Sequence, residues 1–372
     1  MDPAIPPIKI FGGSVFVIVI SLFSLFVYGV SASYNEVKSF FKLIFVFYFV
    51  ILIYVTLRIL LDSAFDTSLF RTTIRSDLNL LAVFLYCSVF LDNSLFRKIL
   101  NVMIGVGIFA AVAVLWPSLY NVALFLKAGE YASGYEYGKP FRLAFPSGNA
   151  FFGITVLYFI FFIAYCTDTV KRRKIEIGIV IKMVLLFLFG LLAGRTMFVS
   201  LLLLLPLMLI KKPSLIVLLS LLLFTIAYIV YSYNLIDENV LNWILRVLPS
   251  SDGQISSHDT DVLINMYTLK DANYIFGDGR FKTETGYYNH VDVGYLRNLY
   301  FGGVFFLLII YSLPLIIVRK LSFIMKFGLL STVFVLETKG IVLAHYPSFM
   351  SLFILISIYF TLDKKLSSSE PR

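Results

Sequence analysis

The chain has 372 residues, 59% of them hydrophobic and only 14% charged, with a formal net charge of +9. Soluble domains run at about 45–50% apolar and about 25% charged, so a soluble globular protein is excluded. The positive excess is divided among short loops beside apolar runs, which is a membrane-topology signal and argues against nucleic acid as a partner.

A transmembrane helix needs about 20 apolar residues, whereas a barrel strand alternates inward and outward over about ten. The apolar runs here are continuous, so the chain reads as an all-α polytopic membrane protein of roughly eleven spans (about 10–12). In order they are Ile10–Val30, Leu43–Leu60, Leu78–Leu91, Leu100–Leu119, Ala150–Cys166, Ile177–Leu192, Met197–Ile210, Leu215–Ser232, Leu299–Val318, Leu321–Val335 and Ile341–Leu362. The first is too long for a signal peptide despite the small residues of Val30-Ser31-Ala32, and reads as a retained anchor. Cys87 and Cys166 fall inside spans as small buried apolar residues, with no disulfide or metal implied.

Orientation follows Lys and Arg in short loops. Lys171-Arg172-Arg173-Lys174, Lys211-Lys212, Arg319-Lys320 with Lys326, and Lys364-Lys365 all follow odd-numbered spans and belong to the cytoplasm. Opposite them lie Tyr120–Asn149, the Gly194-Arg195-Thr196 turn and one large loop between the eighth and ninth spans. The chain thus divides into residues 1–232, a first transmembrane part; 233–298, the large loop; and 299–372, the last spans with a cytoplasmic tail. Trp116, Tyr120, Tyr231 and Tyr233 sit at span ends, as an aromatic belt does.

The large loop is the one long polar interval. From Tyr233 to Arg297 it holds nine carboxylates, five Arg or Lys and two of the three histidines. Leu235–Val247 predicts an amphipathic surface helix stopped by Pro249, and Ser256-Ser257-His258-Asp259 predicts a helix start running through about Lys270. Asp259-Thr260-Asp261 has the form of a metal-binding Asp-x-Asp, but no soluble α/β domain surrounds it, and acids at a helix N-terminus are the simpler reading.

Several residues have the chemistry of a site. Arg142 leads a turn, Pro146-Ser147-Gly148-Asn149, just before a span. Its planar fork suits a phosphate at the membrane surface, or it snorkels. Arg195 stands in a tight turn between two apolar runs, where a guanidinium is costly unless it is paired or faces a polar cavity. His290 and Asp292 precede the ninth span; in an extended segment two residues apart share a face, so they read as a base and its partner, or as two solvated residues. His345 lies near the outer end of the last span, close to Glu337 and Lys339; it reads as a residue facing the same cavity, or the trio as a helix-end ion pair. Tyr131, Tyr135, Tyr137, Tyr287, Tyr288 and Tyr295 offer rings for stacking on sugars, as belt residues also do.

In this order, the Arg142–Asn149 turn, the Gly194-Arg195-Thr196 turn, Gly277-Asp278-Gly279-Arg280 and the run His290-Val-Asp-Val-Gly-Tyr-Leu-Arg297 through Gly302-Gly303 resemble the O-antigen polymerase (Wzy) and O-antigen ligase superfamily. The resemblance covers roughly Arg142 to Gly303. It implies a metal-independent, lipid-dependent glycosyltransferase of the bacterial inner membrane that works on the periplasmic side without a cofactor. The growing glycan passes from undecaprenyl pyrophosphate to the non-reducing end of a lipid-linked repeat unit. A chain-length regulator and a flippase of the same pathway are the implied protein partners. Arg142, Arg195 and Arg280 then become pyrophosphate candidates, and His290 with Asp292 the catalytic pair, either one being the base. Polymerases of this type carry arginines followed eleven positions on by glycine. Arg142 and Gly153 keep that spacing, whereas Arg280 and Arg297 meet Val291 and Leu308 instead. A ligase acting on lipid A–core, a lipid-linked oligosaccharide flippase and an accessory subunit are the competing readings. A flippase fits less well, since no internal repeat is evident and the polar residues gather in one loop.

The orientation has a direct check. Cysteine labelling from outside should reach Asp252 and Thr283 positions, and Arg172 and Lys211 positions should be labelled only from the cytoplasm. Thr283 and Arg172 on the same side would contradict the assignment.

Overall fold

The computed structural model describes residues 13–62, 66–125, 144–145, 151–172, 174–232, 265–267, 269–283, 286–340, 342–343 and 346–369. Twelve α-helices lie among them: α1 (Gly13–Tyr28), α2 (Tyr34–Leu61), α3 (Ser68–Phe90), α4 (Leu95–Leu115), α5 (Pro117–Phe125), α6 (Phe151–Lys171), α7 (Ile177–Ala193), α8 (Met197–Lys211), α9 (Pro213–Ser232), α10 (Gly294–Ile317), α11 (Phe323–Glu337) and α12 (Pro347–Ser369). The strands described are β1 (Lys282–Thr283) and β2 (Gly286–Tyr287), a two-residue antiparallel hairpin. This is an all-α architecture. Helices α2, α3, α4, α6 and α10 are long and apolar enough to cross a membrane, and a helix occupies each of the eleven apolar runs read from the sequence.

The boundaries differ where local chemistry overrides hydropathy. The span read at Leu78–Leu91 begins ten residues earlier, at Ser68, because Thr72, Thr73 and Ser76 return their hydroxyls to carbonyls four residues back and sit within a helix that also carries Arg71, Arg75 and Asp77. The run Leu100–Leu119 is divided at Pro117, which has no N–H to continue α4 and instead opens α5. Pro213 and Pro347 open α9 and α12 in the same way. The helix read through about Lys270 stops sooner: helical residues 265–266 give way to a turn at Tyr267. The expected Leu235–Val247 helix and the Ser256–Asp259 helix start lie outside the described residues.

The residues group into two compact units that do not follow chain order. One comprises Met1–Gly13 and Arg97–Ser257; the other comprises Ser14–Phe96 and His258–Arg372. In the first, α6 is the central helix, with Ile154 and Val156 through Cys166 all buried. Tyr158 of α6 donates to the Met103 carbonyl of α4 at 2.6 Å, so its hydroxyl is satisfied inside the core. In the second, α2 buries one stripe, Val37, Phe40, Phe41, Ile44, Tyr48, Ile51, Val55 and Ile59, spaced by three and four residues. Its other faces expose Phe49, Ile53, Leu57 and Leu60, an apolar surface suited to lipid. α2 packs against α3 and α10, and α12 against α3. The described part of the large loop belongs to this second unit and is built onto α2 and α10.

Candidate functional site

The site begins with a break in α10. Gly303 adopts φ 67°, ψ −167°, inside what is otherwise a helix from Gly294 to Ile317. A Cβ there would lie 2.6 Å from the Phe276 nitrogen and would overlap the Ile275 carbonyl, so only glycine combines this backbone with so close a neighbour. The break spans the helical bonds to the carbonyls of Tyr300, Phe301 and Gly302. Each of these accepts from elsewhere: Tyr300 from the Asp278 amide at 2.6 Å, Phe301 from the Gly279 amide at 2.9 Å, and Gly302 from the Tyr54 hydroxyl at 2.6 Å. The Val304 amide donates to the Tyr274 carbonyl at 2.9 Å. Tyr300, Phe301, Gly302 and Gly303 are buried, where an unpaired backbone group is costly, and residues 274–279 together with Tyr54 supply the missing partners. Gly277, at φ 75°, permits the approach, since its Cβ would lie 2.5 Å from the Gly302 nitrogen.

The C-terminal end of α2 grips the same segment from the other side. Arg58 donates through Nη2 to the Gly277 carbonyl at 2.9 Å, and Asp62 faces Arg280 at 3.8 Å. Asp66 Oδ2 accepts from the Phe281 and Lys282 amides, both at 2.7 Å, while its Oδ1 accepts from the Ser68 amide at 2.8 Å. Burial raises the Asp66 pKa, but the hydrogen bonds from Ser68, Lys282 and Phe281 outweigh it and hold the carboxyl below its ordinary value.

A second cluster lies where the loop re-enters α10. The Arg297 guanidinium is buried between two rings, 4.1 Å from the Phe281 centroid and 3.6 Å from that of Tyr287 on β2. Its Nη1 bonds Asp292 Oδ1 at 3.1 Å. Burial pushes the Asp292 carboxyl up, and the charge and hydrogen bond of Arg297 only partly oppose this. Val291, Val293, Leu296 and Tyr300 form the apolar underside of the segment. Further along, Glu337 is fully buried and accepts from the Val342 and Leu343 amides and the Tyr311 hydroxyl, so it caps a turn.

His290 is exposed, at φ 56°, at the end of a 3₁₀ turn over Tyr288–His290. The extended run on which a shared face with Asp292 depended is therefore absent: the turn faces the imidazole outward, and Asp292 engages Arg297. Arg280 is 42% exposed and lines a cleft of about 480 Å³ with Asp62, Asp271, Asn273, Asp278 and Tyr288. Arg195 sits half-buried in the tight turn between α7 and α8, in the other compact unit, where Gly194 lies against Thr155 of α6. Arg142, Gly148, His345, Tyr131, Tyr135, Tyr137 and the Asp259–Asp261 run lie outside the described residues. Of the other tyrosines, Tyr288 bonds Asp278 and Tyr295 meets Tyr267, so both rings are engaged within the protein. Sequence reasoning missed Arg58, Asp62 and Asp66. Their spacing of four at the end of an apolar run was the available signal.

No family model, curated protein or solved structure matches the chain.

Two predictions test the joint. Gly303→Ala should destabilise the protein by about 1–3 kcal/mol, the cost of holding a side chain in this backbone region, seen as a lower melting temperature in detergent. Asp66 has a lowered folded pKa, so its contribution is present above the ordinary Asp value of about 3.9 and is lost as pH falls through the lowered value. Protection of the Phe281 and Lys282 amides against hydrogen exchange should persist down to that range and vanish below it. Asp66→Ala should reduce it about tenfold or more at neutral pH, the loss expected from removing a charged acceptor.

Proposed function

We propose that the chain is a metal-independent glycosyltransferase of the bacterial inner membrane that polymerises lipid-linked glycan repeat units, its large loop facing the periplasm between the eighth and ninth of eleven spans. The observation that carries this reading is that two of the four family-like motifs, Gly277–Arg280 and His290–Gly303, fold into one joined assembly at the break in α10. Two motifs hydrogen-bonded to each other are what a built site requires.

In the proposed reaction an acceptor sugar hydroxyl attacks the anomeric carbon of the donor glycan. The bond from that carbon to the carrier pyrophosphate breaks, the electron pair leaves with the pyrophosphate, and the hydroxyl proton passes to a base. The pyrophosphate is already a good leaving group, so fixed cations opposite its developing charge supply much of the catalysis. Arg142 and Arg195 are assigned that task. His290 is assigned as base: its imidazole is exposed and makes no hydrogen bond or ion pair with another described residue. Asp292 is committed to Arg297 and holds that buried guanidinium in place.

The test is genetic and biochemical together. Arg195→Ala should leave the protein in the membrane at its normal level, abolish polymer and let lipid-linked single units accumulate. Arg195→Lys should also be impaired, because an ammonium lacks the planar two-point grip. His290→Ala should stop polymerisation without lowering the melting temperature. Asp292→Asn should instead lower the melting temperature and slow transfer less. Full-length glycan from Arg195→Ala cells would refute the assignment of that residue. A dead Asp292→Asn protein beside a normal His290→Ala protein would move the base to the carboxylate.

A further inference from the structure

The cleft beside Arg280 has the wrong charge for the ligand that the sequence motif implies. Three carboxylates, Asp62, Asp271 and Asp278, line it against the single guanidinium of Arg280. A pyrophosphate brought there meets more negative charge than positive. The same groups suit sugar hydroxyls. Carboxylates accept short charge-assisted bonds from hydroxyls, while Arg280 and the Asn273 side chain are able to donate to ring and hydroxyl oxygens. The cleft's volume of about 480 Å³ falls within the usual range of small-ligand sites, about 300–1,000 Å³.

Two of the carboxylates lining the cleft are held in contrasting ways. Asp278 is held from both sides, its Oδ1 accepting from the Asn273 amide at 3.0 Å and its Oδ2 from the Tyr288 hydroxyl at 3.1 Å. Asp62 is the opposite case. Its side chain is only 7% exposed, Arg280 Nε lies 3.8 Å from Oδ1, and Oδ2 has no hydrogen-bond partner among the described residues. A carboxylate so incompletely satisfied is costly, and a ligand hydroxyl donating to Asp62 from the cleft offsets that cost. A divalent cation is the poorer fit, because among the described residues no three carboxylate, histidine or cysteine side chains converge as a metal site.

We propose that this cleft is a saccharide subsite, in which Asp62 and Asp271 accept hydroxyls of the substrate glycan and Arg280 binds its oxygens, leaving the pyrophosphate to arginines elsewhere. The proposal rests on the glycosyltransferase reading. It adds a specificity-determining residue, Asp62, that lies outside the part of the chain carrying the family-like motifs.

The experiment measures binding separately from transfer. The full-length protein in detergent is titrated with the free oligosaccharide released by mild acid from the lipid-linked repeat units of its source cells, with tyrosine fluorescence as readout. Asp62→Asn preserves shape and removes charge. Asp271→Asn changes an exposed carboxylate, so at least one variant folds, and melting temperature verifies both. The wild type should bind the saccharide, both variants should weaken it about tenfold or more, and inorganic pyrophosphate or calcium should not compete. Absence of saccharide binding by the wild type, wild-type affinity in both variants, or competition by pyrophosphate or calcium that Arg280→Gln or Asp62→Asn abolishes would each overturn the proposal. Transfer from lipid-linked units by the same wild-type preparation is assayed in parallel. If transfer occurs while the cleft fails its test, only the subsite is wrong; if the wild type transfers nothing, the glycosyltransferase reading itself fails.

Discussion

A helix in lipid keeps its shape because each backbone amide has a partner four residues away, and α10 gives up that arrangement at Gly303. The carbonyls of Tyr300, Phe301 and Gly302 and the amide of Val304 then require partners from outside the helix. Residues 274–279 and Tyr54 provide them. An interrupted helix of this kind is tolerated where other protein satisfies the freed groups, so the loop and the break depend on each other. Arg58, Asp62 and Asp66, on and just beyond α2, hold the loop's far side through three hydrogen bonds to backbone carbonyl or amide groups and one ion pair. A polar loop is thereby fixed at the end of an apolar bundle.

Charge placement follows from the same joint. The guanidinium of Arg297 is buried because Phe281, ordered by Asp66, and Tyr287, on the hairpin, close over its two faces. Cation–π contact of this type is worth up to about 2 kcal/mol when desolvated, and Asp292 provides the countercharge. Asp292 is therefore best understood as part of the scaffold, with His290 projecting beyond it. The cleft is the counterpart of this arrangement: the Arg280 face of the loop carries mostly carboxylates, the Arg297 face an arginine already neutralised.

Much of the helical framework was legible in the sequence. Runs such as Ile177–Leu192 and Met197–Ile210 match α7 and α8 almost residue for residue, because spanning length and apolar continuity are local properties. The start of α3 was not legible, since Arg71, Arg75 and Asp77 lower hydropathy without breaking the backbone. At the site, the paired glycines Gly277/Gly279 and Gly302/Gly303 were recognised as motifs, but their mutual docking is a long-range pairing that no local pattern encodes. His290 and Asp292 were read as an extended pair, and two consecutive positive φ values at Asn289 and His290 separate them. Such values at residues other than glycine are uncommon, so composition gives little warning of them. The contribution of α2 was missed for a related reason: Arg58 and Asp62 look like ordinary span-end charges until their partners more than two hundred residues away are known.

The central claim is that residues 274–279 are seated on the break in α10. Phe276 and Phe305 stack with ring centroids 5.6 Å apart, one from each side of that joint. Both native cysteines are buried, so a Phe276→Cys/Phe305→Cys protein reports on this pair alone. Treated in native membranes with a short thiol cross-linker, it should form the intramolecular link nearly completely, and the yield should collapse when Gly303→Ala is added. Two freely alkylated thiols in the Gly303 protein would contradict the account.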